Sequence, residues 1–162
     1  MEYITMAVAS AFHSLITNTI FLSTVFSLCF AQITKMVIYL FSHRNKNFRE
    51  AFQTAIWRTG GMPSSHSAVV CSLTTSTGLS EGISSNLFIF CLVFTMVVLR
   101  DALGVRRAAG LQAKALNTLG KQTAEKIGLE FHSVKEIQGH TPLEVLVGVF
   151  LGIAIAVGFS LL

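Results

Sequence analysis

Residues Ile83–Leu99, ISSNLFIFCLVFTMVVL, contain no charged side chain and stop at Arg100-Asp101. A helix that crosses a bilayer needs about 20 mostly apolar residues, so this run predicts a membrane helix that ends where the charge begins. Stretches on either side have the same character. Tyr3–Thr34 is uncharged, Lys35 follows, and Met36–Phe41 is apolar again. We expect one spanning helix from about Ser14 to Phe41, with Lys35 near its end. Pro63–Leu79 is uncharged but rich in Ser and Thr, which suits a helix packed inside a bundle, because small hydroxyl residues allow close approach in membranes. A last helix is expected from Thr141-Pro142 through Val145–Leu162. Between these runs, Gly60-Gly61 and Ser80-Glu81-Gly82 read as breaks, and Ala51–Trp57 as a short interfacial helix.

The composition agrees. Of 162 residues, 52% are hydrophobic and 12% charged, against about 25% charged in a soluble domain. The expected fold is an all-α integral membrane bundle, with about four main transmembrane helices plus interfacial helices, forming a single domain over residues 1–162. The net charge of +4 falls in segments between apolar runs. That placement favours anionic headgroups or phosphate as partners over nucleic acid. Cys29, Cys71 and Cys91 lie in apolar stretches without metal-ligand spacing and read as small core residues. The start, Met1-Glu2, has no basic segment of the kind that precedes a cleaved leader.

Orientation follows from Lys and Arg. Segment 42–58 carries four and segment 100–140 seven, while the 80–86 turn and both ends carry none. Both basic segments are expected in the cytoplasm and both termini outside. Setting aside Arg58, Arg100, Arg106 and Arg107 as site residues still leaves seven against zero.

This arrangement gathers the ionisable residues at one membrane face, where such groups are costly and usually functional. The most informative segment is Gly60–Ala68, GGMPSSHSA. Its glycines free the backbone, Pro63 suits a first helical turn, and a helix start points N–H groups at an anion. Ser64 and Ser65 add hydroxyl donors, and His66 can serve as acid or base. The plainer reading is a glycine turn before a capped helix. In Gly139–Glu144, GHTPLE, Thr141-x-x-Glu144 forms a capping box with Pro142 at the first helical position. The cap accounts for Thr141, Pro142 and Glu144, but not for His140, which Glu144 could hold from four residues on. In Arg100–Gly110, RDALGVRRAAG, helical spacing puts Arg106, Gly110, Ala113 and Asn117 on one small-residue face and Arg100, Arg107 and Lys114 on a basic stripe. Arg106 or Arg107 is the arginine expected to reach an anion, and Asp101 could pair with an arginine. Lys35 either turns inward or snorkels to the interface. His13, His43 and His132 have no partner at a telling spacing. No metal and no cofactor are expected.

Three blocks, Gly60–Ala68 (GGMPSSHSA), Asp101–Gly110 (DALGVRRAAG) and Gly139–Gly148 (GHTPLEVLVG), resemble the divergent branch of the type-2 phosphatidic acid phosphatase superfamily, which is related to vanadium-dependent haloperoxidases. The resemblance runs from about Phe30 onward, over most of the chain. It implies that Pro63-Ser64-Ser65-His66 contacts phosphate and supplies a general-acid histidine, and that His140, backed by Glu144, is a nucleophile. Lys35 and Arg58 would stand for the phosphate-binding Lys and Arg. The chain departs from the wider pattern at four places. Ser65 replaces a glycine, Glu144 an aspartate, Val134 an arginine, and the Lys35–Arg58 interval is long. With Val134 apolar, Arg106 or Arg107 must fill the vacated role in space.

The resemblance implies metal-independent hydrolysis of a phosphate monoester or pyrophosphate on a lipid. Two other classes share these features: a catalytically silent anionic-lipid binder or scaffold, and an anionic-lipid transporter. Small-residue helix faces suit packing within one chain or between copies, so a homo-oligomer is a further partner they would fit.

Overall fold

The structure, a computed structural model, describes residues 1–42, 61–136 and 139–162. Arg58, His43, the rest of the first basic segment and the expected helix Ala51–Trp57 lie outside the described residues. Every regular element among the described residues is helical: α1 (Glu2–Thr17), α2 (Thr19–Ser42), α3 (Ser65–Glu81), α4 (Asn86–Arg100), a π-helical turn (Asp101–Val105), α5 (Arg106–Ile127) and α6 (Pro142–Ser160).

Local chemistry sets the boundaries. The single helix expected over Ser14–Phe41 is broken at Asn18, whose backbone is extended at ψ 119°. Its side-chain Oδ1 accepts the Phe21 N–H at 3.0 Å, so the amide caps α2 and ends α1 in one step. Pro63 does not open α3. Ser64 is its N-cap, with Oγ accepting from Ser67 N at 3.4 Å and Ser67 Oγ at 2.9 Å. Likewise α4 begins behind the cap of Ser85 rather than at Ile83, with Phe88 N–H donating to Ser85 Oγ at 3.1 Å. The charge at Arg100-Asp101 does not stop the helix. The chain continues through the π-turn into α5, a continuous helical run of 42 residues over Asn86–Ile127. At 1.5 Å per residue that is about 63 Å, twice the roughly 30 Å hydrocarbon layer. The apolar first part, α4, has 15 residues, about 23 Å, so a full crossing takes in the π-turn as well, and the polar α5 extends past it. Gly128 ends α5 at φ +70°, returning its N–H to Ala124 O at 2.9 Å.

The bundle is built around α3, which packs against α2, α4 and α6. Among the described residues, three helices have the length and apolar character to cross a membrane alone: Thr19–Ser42, Asn86–Ile127 and Pro142–Ser160. The fourth, α3, is seventeen residues long and buries nine of them. It is enclosed by the others, as its hydroxyl-rich sequence predicts. The interior is filled by small side chains in rows four apart. Buried rows are Ser23-Ser27-Ala31 on α2, Ser64-Ala68-Ser72-Ser76 on α3 and Gly148-Gly152-Ala156 on α6. A Cβ at Gly152 would collide with the Ala68 carbonyl, and one at Gly148 would meet Ser64 O at 2.5 Å. The α3–α6 backbones therefore touch, as in the small-x-x-x-small contacts of membrane helices. Hydroxyl pairs tie the other interfaces: Ser23 Oγ to Ser76 Oγ at 2.6 Å and Thr74 Oγ1 to Thr95 Oγ1 at 2.8 Å. The large apolar side chains are turned outward, among them Phe90, Val93, Met96, Val97, Leu146 and Phe150. Such an outward apolar surface needs lipid as its solvent. The protein is a helical membrane bundle.

Candidate active site

One end of this bundle collects the polar residues. The inward row of α2 continues one turn past Ala31 to Lys35, whose Nζ donates to Ser65 Oγ at 3.2 Å. Ser65 is 5% exposed at the first position of α3. Lys35 therefore turns inward rather than snorkelling, and lies within electrostatic reach of Glu144.

The start of α6 is fixed to the start of α3. Ser64 N–H donates to the Glu144 carbonyl at 3.0 Å. At the same residue the carboxylate does two jobs. Glu144 Oε2 accepts the Thr141 N–H at 3.1 Å, completing the capping box, and meets His140 Nδ1 at 3.0 Å. The cap and the histidine partner, alternative explanations of Glu144 in the sequence, are both present on one oxygen. His140 is 6% exposed. With Nδ1 committed to a carboxylate, the imidazole has Nε2 left for chemistry.

His66 is exposed at the second position of α3, within electrostatic reach of Arg106, His140, Lys35 and Asp101. Of the two candidate arginines, Arg106 is thus the one within electrostatic reach of His66. Its Nε donates to Asp101 Oδ2 at 2.5 Å. Arg107 has an exposed side chain, and its backbone serves as a seat for Gly139, where a Cβ would collide with Arg107 N and Cα. Ser64 is fully buried and its hydroxyl is taken up by Ser67. His13 and His132 are exposed. Among the described residues, no group of three His, Cys, Asp or Glu is placed to hold a metal.

One positioning device has only a faint trace in the sequence. After α5 the chain turns back and runs along the inward face of that helix. Asn117, 7% exposed, donates through Nδ2 to Val134 O at 2.9 Å and accepts the Val134 N–H on Oδ1 at 2.9 Å. Nδ2 also reaches Glu136 Oε1 at 2.8 Å. Above it, Gly120 leaves room for the Phe131 ring, and below it Gly139 sits on Arg107. These three contacts lead the segment to His140. The trace was Asn117 itself, the amide on the Arg106–Gly110–Ala113 face.

A buried histidine paired with a carboxylate thus lies within electrostatic reach of a second histidine, which Lys35 and Arg106 also approach, at one end of a membrane bundle. The chain matches the model of the Divergent PAP2 family over residues 16–155. It is 36% identical over 152 aligned positions, 86% of this chain and 92% of the other, to the Uncharacterized membrane protein YuiD of Bacillus subtilis (strain 168). The chain belongs to the divergent PAP2 family. No solved structure matches it.

Proposed function

We propose that this protein is a metal-independent lipid phosphate phosphatase. It removes phosphate from a lipid monoester or pyrophosphate through a phosphohistidine, within one membrane-embedded domain whose site faces the cytoplasm. The observation that carries this reading is the His140–Glu144 pair, 3.0 Å apart with the histidine buried, and within electrostatic reach of His66, which Arg106 also approaches.

In the reaction, His140 Nε2 attacks phosphorus. A P–N bond forms and the P–O bond to the lipid breaks. His66 gives its proton to the departing lipid oxygen, then takes one from the water that attacks the phosphohistidine, releasing inorganic phosphate. Glu144 keeps the Nδ1 proton in place and stabilises the cationic ring of the intermediate. Lys35 and Arg106 stabilise the equatorial oxygens, where the transition-state charge resides. Arg58 belongs to this group by its motif, and Ser65 adds a hydroxyl beside Lys35. The cytoplasmic placement is supported by the Lys and Arg balance of segments 42–58 and 100–140.

The test is phosphate release from a panel of lipid mono- and diphosphates by the purified chain in detergent, with EDTA present. Turnover with a phosphoenzyme that is labile in acid and stable in base is the expected result. Folded His140→Ala protein is expected to lose both. Anion binding without turnover on any lipid phosphate would turn the assignment to a silent lipid binder.

A further inference from the structure

The arginine within electrostatic reach of His66, Arg106, is presented by an irregular piece of helix. Between α4 and α5 the Arg106 N–H reaches back to the Asp101 carbonyl, the i to i+5 closure of a π-turn. In a regular α-helix, side chains five apart diverge by about 140° at 3.6 residues per turn. Asp101 and Arg106 could not then meet. The π-turn brings them to one side, and Arg106 Nε donates to Asp101 Oδ2. The same wide turn sets the register of all that follows. Within α5, Arg106 shares a face with Gly110, Ala113 and Asn117 by regular helical spacing, and Asn117 on that face holds the segment leading to His140; the π-turn sets how that face is turned relative to α4.

The two side chains are 44% and 38% exposed. An ion pair as open as this contributes little to stability, so its effect must lie in direction. A carboxylate that grips Nε fixes the plane of the guanidinium and leaves the two terminal amino groups as its remaining donors. Asp101 is also within electrostatic reach of His66, which puts the pair at the rim of the site rather than away from it. Arg107, the next residue, is exposed as Arg106 is, but has no acidic partner among the described residues.

We propose that Asp101 is a positioning residue. Through the π-turn it holds Arg106 by Nε, so that the terminal amino groups of Arg106 face a phosphate bound between His66 and His140. This rests on the phosphate-site reading above. It adds that the π-turn serves to aim the phosphate-binding arginine, and that the carboxylate beside the site assists anion binding instead of opposing it.

The experiment uses the full chain in detergent and orthovanadate as the probe. The readout is the vanadate concentration at half-maximal thermal protection, a mass-action measure of affinity for the native state. Melting without anion is recorded for each variant, to separate folding from binding. Arg106→Ala is expected to abolish protection. Asp101→Asn is expected to melt near the wild type and to raise the half-protection concentration about tenfold, which corresponds to about 1.4 kcal/mol. The charge swap Asp101→Arg/Arg106→Asp restores the pair but is expected to leave protection lost. An unchanged midpoint in Asp101→Asn, with Arg106→Ala defective, overturns the positioning role alone. A lower midpoint in Asp101→Asn overturns it too, because the carboxylate would then compete with the anion. Recovery of protection by the swap would mean a structural pair and also count against it. If Asp101→Asn does not fold, Asp101→Glu keeps the charge and moves it by one methylene. A smaller rise in midpoint is expected there, and no rise counts against the proposal. Absence of vanadate protection in the wild type would instead overturn the phosphate-site reading beneath it.

Discussion

Replacing Glu144 by glutamine separates its two tasks. Glutamine matches the carboxylate in size, and its carbonyl oxygen can take the place of Oε2, 3.0 Å from His140 Nδ1 and 3.1 Å from Thr141 N. The cap then survives, and what is lost is charge. When His140 carries phosphorus on Nε2 the ring becomes cationic, so its Nδ1–H bond to a carboxylate is charge-assisted, while the bond to an amide oxygen is not. Charge-assisted bonds contribute about 1.5–3 kcal/mol and neutral ones about 0.5–1.5, a difference of about 1–2 kcal/mol. At 1.36 kcal/mol per decade, turnover should fall by about 5- to 30-fold. Melting should shift little, because the partly exposed cap stays in place. Glu144→Ala removes both tasks and should add about 1 kcal/mol of lost helix capping. The assay is single-turnover phosphoenzyme formation beside thermal unfolding of the same preparations. Folded Glu144→Gln protein that forms phosphoenzyme at the wild-type rate would refute the role of the carboxylate. So would a rate that merely tracks the loss of stability.

Three other outcomes are expected, two from the geometry and one from the charge balance. His66→Ala should slow turnover by about 10²–10⁴-fold, the range for proton transfer, and less so for substrates with good leaving groups, as a comparison of alkyl and aryl phosphates would read. Ser23→Ala should lower stability by about 0.5–1.5 kcal/mol through loss of its bond to Ser76, whereas Ser72→Ala should cost nothing, since Ser72 Oγ has no partner among the described residues; melting of the two variants decides. Cysteines placed at positions 46 and 121 should resist an impermeant thiol reagent in intact cells, and rapid labelling would reverse the proposed orientation.

Most of the bundle was legible from apolar run length, and the start of α6 from Thr141-Pro142-x-Glu144, since both depend on neighbours in the chain. So were the enclosed, hydroxyl-rich α3 and the face shared by Arg106 and Asn117. What escaped depended on competition or on distance. Asn18 breaks an apolar stretch because its amide offers α2 a cap, and apolar counting does not register that choice. Ser64 takes the cap that Pro63 was expected to follow. Arg100-Asp101 marks a hydropathy boundary but no break in hydrogen bonding, so the helix runs on. The π-turn shifts the register by an amount that a period of 3.6 cannot express, which hid which arginine Asp101 would pair with. The grip of Asn117 on Val134 joins residues seventeen apart through backbone groups, which leave no mark in residue type.

The Ser64–Glu144 main-chain bond has a consequence for how the family can vary. It fastens the turn bearing His66 to the turn bearing His140, and the same Glu144 that receives it with a peptide oxygen steadies His140 with a carboxylate. The gap between the two imidazoles is thus set across a helix contact of Ser64, Ala68 and Ser72 on Gly148 and Gly152, not by the length of chain that joins α3 to its neighbours. A change in the length of the connection between α2 and α3 should therefore leave that gap as it is. A single methyl at Gly152, remote from any chemistry, would pry the two histidines apart.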